Sequence, residues 1–97
     1  MPVNIYRANP NGQRSEHIAW LCEGNWRLPD QAEALEAWLA ESRAALTPDR
    51  YIADIGFMPR EDALGGGAAL SPETMRTMAD LGISLFLSEY PSSTDGT

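Results

Sequence analysis

The run from Tyr51 to Met58, YIADIGFM, constrains this chain more than any other segment. Tyr51, Ala53, Ile55 and Phe57 alternate with Ile52, Asp54, Gly56 and Met58, so apolar groups fall on both sides of an extended backbone. Such a strand belongs inside a sheet rather than at an exposed edge. The remainder of the chain has to supply its neighbours and their cover.

Strands are legible on either side of it. Residues 3–8, VNIYRA, place Val3 and Ile5 on one face, and residues 16–22, EHIAWLC, form a second apolar run. Between them Asn11-Gly12 is the dipeptide that best tolerates the left-handed backbone of a tight turn, so residues 3–22 read as a β-hairpin. Residues 83–90, ISLFLSEY, read as the final strand, with Ile83, Leu85 and Leu87 facing one way and Phe86 the other.

Two helices are available as cover. Asp30 is an N-cap candidate with Glu33 as its capping-box partner, which predicts a helix over 31–46 closed by Pro48. Leu35, Trp38, Leu39, Ser42 and Leu46 fall on its inner side, while Asp30, Glu33, Glu36 and Glu41 supply an acidic outer face. Ser71-Pro72 opens a second helix, with Met75, Met78 and Ala79 as its apolar side and Gly82 placed to stop it. Residues 59–70 carry three consecutive glycines, Gly65 to Gly67, and are expected to form a mobile loop; the polar residues 91–97 are expected to be a flexible tail.

The order β-β-α-β-α-β predicts a single α+β domain over residues 1–97. It is a two-layer sandwich, with a four-stranded sheet carrying both helices on one face and the strand order left open. A length of 97 residues admits one thin core, which excludes a catalytic barrel or a two-domain cleft enzyme. Fourteen acids oppose seven bases, all of them Arg, giving a net charge of −7. That charge repels nucleic acid and anionic membrane and favours a basic protein partner or a cation. With one cysteine and no long apolar run, the expectation is a cytoplasmic protein without an internal disulfide.

Chemistry-bearing residues are sparse. His17 and Cys22 lie five positions apart, pointing to opposite faces of a regular strand, and no paired Cys or His ligands stand at recognised spacing. No catalytic pair, metal or cofactor is therefore expected. The glycines at 65–67 lack the Lys and Ser or Thr of a phosphate loop. Asp54 interrupts an apolar strand, either as a strand-end acid that accepts backbone amides or pairs with Arg50 or Arg60, or as a recognition residue. Trp26, beside Arg27 in a polar stretch, either folds over the sheet edge or is offered to a partner. The acidic face is either solvated or a steering surface, and in both cases reversing Glu33, Glu36 and Glu41 is expected to leave stability unchanged. The candidate partner-binding residues are thus Trp26, Arg27, Glu33, Glu36, Glu41 and Asp54, with the Gly-rich loop left out.

Four segments, EALEAWLAESRAAL, YIADIGF, ALGGGAALSPE and TMADLGISLFLSEY, carry a family likeness over roughly residues 31–90. In their order and in Gly65 to Gly67, Gly82 and Tyr90, the chain resembles a group of small bacterial α/β domains. That group includes immunity proteins encoded beside polymorphic or contact-dependent toxins. The resemblance implies a non-catalytic protein that neutralises a cognate toxin by occupying its active site or a neighbouring surface, and the net charge makes a basic toxin the expected partner. Composition and motifs point to the same class, an acidic protein-binding module. The alternatives are a small regulatory or structural domain that forms a homodimer through a sheet edge, and a small enzyme whose site is completed by oligomerisation.

Overall fold

In the computed structural model, which describes residues 2–91, strands β1 (Val3–Ala8) and β2 (Arg14–Leu21) precede helix α1 (Leu28–Ser42). A short 3-10 turn (Arg43–Ala45), β3 (Tyr51–Phe57), α2 (Pro72–Leu81) and β4 (Ile83–Glu89) follow. Apart from Pro91, the tail read from residues 91–97 lies outside the described residues.

The sheet runs β2-β1-β3-β4, with β1 antiparallel to both of its neighbours and β3 parallel to β4. Strands β2, β3 and β4 therefore point one way, and β1 alone runs against them. Both helical connections, β2-α1-β3 and β3-α2-β4, step across the sheet in the same sense. A common handedness then places both helices on one face. The result is the two-layer α+β sandwich with a mixed sheet.

The core lies between these layers. Val3 and Ile5 of β1 and Ala53 and Ile55 of β3 meet Leu35 and Leu39 of α1 and Met78 and Leu81 of α2. The inner-strand reading of YIADIGFM holds over Tyr51–Phe57, one residue short of Met58: β3 has hydrogen-bonded partners on both edges. Gln31, fully buried, donates from Nε2 to the carbonyls of Asn25 (2.8 Å) and Gly56 (2.7 Å), fastening the first turn of α1 to β3.

Several local expectations are corrected. The hairpin turn is wider than a two-residue loop: Gly12 N–H donates to Asn9 O, Asn9 N–H donates to Gln13 O, and only Gly12 takes a left-handed φ (+89°). Pro10 presets the turn and Gly12 closes it, the pattern of a longer hairpin loop.

Helix α1 begins at Leu28, two residues ahead of Asp30. The Asn25 side chain accepts the Arg27 N–H and Pro29 sits in the first turn, so the start is set upstream. Asp30 instead accepts from Asn25 Nδ2 (3.0 Å). At its other end α1 gives way to the 3-10 turn after Ser42, short of the expected residue 46.

Helix α2 opens at Ser71, whose Oγ accepts the Thr74 N–H at 3.0 Å, and stops at a left-handed Gly82. Its inward residues are Thr74, Met78 and Leu81; Met75 and Ala79 are exposed. The apolar side is rotated from the expected one because Thr74 is held beneath α1. No helix among the described residues is long and apolar enough to cross a membrane.

Candidate functional site

Because both helices occupy one face, the opposite face of the sheet has no covering layer among the described residues. Strand alternation sends Asn4 and Tyr6 of β1, Ile52, Asp54 and Gly56 of β3, and Ser84, Phe86 and Ser88 of β4 to this side. Register places Trp20, Asn4, Asp54 and Phe86 abreast in one row, with His17, Tyr6, Ile52 and Ser84 in the next. Trp20 and Phe86, at the two flanks, are 40% and 46% exposed. The His17 ring leans on Trp20 at 4.3 Å between centroids, and the Arg14 guanidinium lies 4.7 Å from the centre of the Tyr6 ring.

At one end of this face Gly56 makes room for an aromatic pair. Trp26 and Tyr90 meet edge-on at 5.4 Å, and a Cβ on Gly56 would run into the Tyr90 ring. Trp26 is thereby folded over the sheet while remaining half-buried.

The polar centre of the row is a pair of acceptors. Ser88 Oγ donates to Asp54 Oδ1 at 2.8 Å, and Asn4, only 7% exposed, keeps an Oδ1 with no hydrogen-bond donor among the described residues. Asp54 stands in mid-strand, so the strand-end reading is replaced. Among the described residues the ion pairs are Arg7 with Glu16 and Asp49, and Arg27 with Asp30, while Arg60 donates to Gly65 O instead of to Asp54. The half-buried Asp54 carboxylate, flanked by aromatic rings, suits an incoming cationic or hydrogen-bond-donating side chain, while Asn4 Oδ1 lies buried beside it.

The other sequence-selected residues lie elsewhere. Arg27 lines a cleft of about 550 Å³ bounded by the start of α1, the end of β3 and the loop through Gly65 to Gly67. Glu33 borders a shallower groove of about 390 Å³ that also touches Gly67 to Ala69. Glu36 is tied into the fold, where its Oε2 accepts from the Ser71 N–H (2.8 Å) and the Thr74 hydroxyl (2.9 Å) and so joins α1 to the start of α2. The Ser71 N–H, then the Thr74 hydroxyl, hold this carboxyl below its ordinary range. Glu41 is exposed on α1. Of the six residues, only Trp26 and Asp54 share the open sheet face.

Cys22 closes β2 in a left-handed conformation (φ +57°), with Sγ 3.7 Å from the Asp30 carbonyl. Burial, then the nearby Asp30 charge, push its thiol pKa up, which opposes thiolate chemistry. Among the described residues no group of three or more His, Cys, Asp or Glu is arranged to hold a metal ion.

No family model, curated protein or solved structure matches this chain. Its candidate site therefore rests on geometry. Reasoning from sequence selected Asp54 and Trp26 but missed Trp20, Asn4, Phe86 and Tyr90, which complete the same face. The usable signal was strand parity: once two helices cover the side of Val3 and Ile5, the residues alternating with them must face the other way.

Proposed function

We propose that this chain is a non-catalytic, acidic protein-binding module that uses the open sheet face to engage a basic protein. The family resemblance points to inhibition of a cognate bacterial toxin in the cytoplasm as the form of that engagement. The observation carrying the reading is the row Trp20-Asn4-Asp54-Phe86, where exposed aromatics flank the half-buried Asp54 carboxylate. Large rings around a desolvated polar centre are the usual composition of an energetic anchor at a protein interface. The net charge of −7 complements a cationic partner and would speed its approach.

The reading is tested by binding kinetics against the protein encoded beside this one. Trp20→Ala and Asp54→Ala should each weaken binding by more than about 1 kcal/mol while leaving the circular dichroism unchanged. If both bind as the parent does, and shortening Gly65-Gly66-Gly67 abolishes binding in a folded protein, recognition belongs to the cleft and its loop.

A further inference from the structure

Strand β4 ends the sheet, and one of its edges has no partner among the described residues. Its residues 84–88 read Ser-Leu-Phe-Leu-Ser, a sequence identical in both directions about Phe86, which is also the midpoint of Ile83–Glu89. We propose that β4 pairs with β4 of a second copy of this chain, antiparallel and centred on Phe86, forming a two-fold dimer with one continuous sheet. The inference goes beyond the partner binding proposed above and does not depend on it.

The backbone supports this register. Tyr90 N–H donates to Phe57 O, so the main-chain groups of Ser88 and Phe86 also turn toward β3, and those of Leu85, Leu87 and Glu89 turn outward. In an antiparallel pairing centred on Phe86, Leu85 of each copy faces Leu87 of the other, and these outward groups exchange both hydrogen bonds. Phe86 faces its own counterpart in a non-hydrogen-bonded pair, where side chains come closest. The only charge on the strand, Glu89, is set against Ile83 and not against itself.

Side chains and the far edge agree. Leu87 is 58% exposed although its parity assigns it to the helix-covered side, so it is an apolar group at an uncovered margin. Of the usual devices against edge pairing the strand has no Pro, no Lys and no bulge, and its one charge, Glu89, stands at its last position. Strand β2, at the opposite margin, has two register shifts against β1 and displays Arg14, Glu16 and His17. With one edge blocked and the other self-complementary, pairing closes at two copies instead of propagating.

Sedimentation equilibrium of the full chain tests the proposal, and Leu87→Pro is the informative variant. Leu87 N–H lies outside the β3 ladder, so proline there removes an outward donor and spares the sheet. The parent should show a concentration-dependent monomer-dimer equilibrium, weakened at least about a hundredfold by Leu87→Pro and by the gentler Leu87→Lys. In a Cys22→Ala background, Phe86→Cys should oxidise to a covalent dimer, because non-hydrogen-bonded pairs bring Cα atoms to about 4.5 Å, within disulfide range. Ser84→Cys, placed far from its own counterpart, should not.

A parent that stays monomeric up to about 1 mM overturns the inference. So does a dimer that survives both Leu87 substitutions, or one in which Phe86→Cys fails to cross-link. Failure of the partner-binding reading is separable: Trp20→Ala and Asp54→Ala would then leave partner binding intact, whatever the sedimentation result.

Discussion

Glu36 illustrates how one residue can be exposed in composition and committed in structure. Its carboxylate accepts the Ser71 N–H and the Thr74 hydroxyl, so charge reversal there does more than change the surface. Because the folded-state pKa is depressed, the stabilisation is complete above the ordinary glutamate value, about 4.3, and is lost as pH falls through the lower folded value. Glu36→Gln should therefore lower the urea midpoint at pH 7 and narrow the difference between the midpoints at pH 7 and in acid. Equal losses at both pH values would remove the ionised carboxylate from the explanation. Glu33→Lys and Glu41→Lys should leave both midpoints nearly where they were. Gly82 is committed differently: its φ is +82° and a Cβ would overlap the Asp49 carbonyl oxygen. Gly82→Ala should cost about 2 kcal/mol or more in denaturant unfolding. The stop at Gly82 was legible in the sequence. The role of Glu36 was not, because its partners lie 35 and 38 residues away and no local pattern announces them.

At the level of elements, α1 has a narrower buried stripe than its wheel suggests. Leu35 and Leu39 are buried, whereas Trp38 packs against the core from a half-buried flank. Leu35→Ala should cost about 3 kcal/mol, and Trp38→Ala clearly less than the roughly 3–5 kcal/mol typical of a fully buried ring. Denaturant midpoints of the two variants would check the ranking; a costlier Trp38 would place its ring in the core. Periodicity located the four strands and α1, since burial of one face leaves its period in the sequence, whereas α2 was legible from its Ser71-Pro72 start and Gly82 stop. Ends were less legible. The start of α1 is set by Asn25, Pro29 and the buried Gln31 amide, a mixture of local turn chemistry and a long-range tie to Gly56. The open face was half legible: Asp54 stood out as a charge in an apolar strand, but Trp20 and Phe86 become neighbours in a row only through strand order, which the element sequence leaves undetermined.

For the whole molecule, the net charge of −7 gives salt two opposite effects. Engagement of a basic partner should slow as ionic strength rises, because long-range attraction is screened. Dimerisation through β4 joins two acidic chains, and the same screening should strengthen it. Stopped-flow association rates and sedimentation equilibrium across about 0.05–0.5 M salt would reveal the two trends. Binding of the basic protein that does not weaken with salt would remove steering from the account. Self-association that weakens with salt would point to ion pairs in place of the apolar edge.

The solitary antiparallel strand has a consequence during synthesis. Strand β1 precedes both of its partners in the chain, so after β2 is made its other edge stays unpaired until Tyr51–Phe57 arrives. Until that moment α1 is the only helix available to cover Val3 and Ile5, and the open ladder edge of β1 is free to pair with another chain.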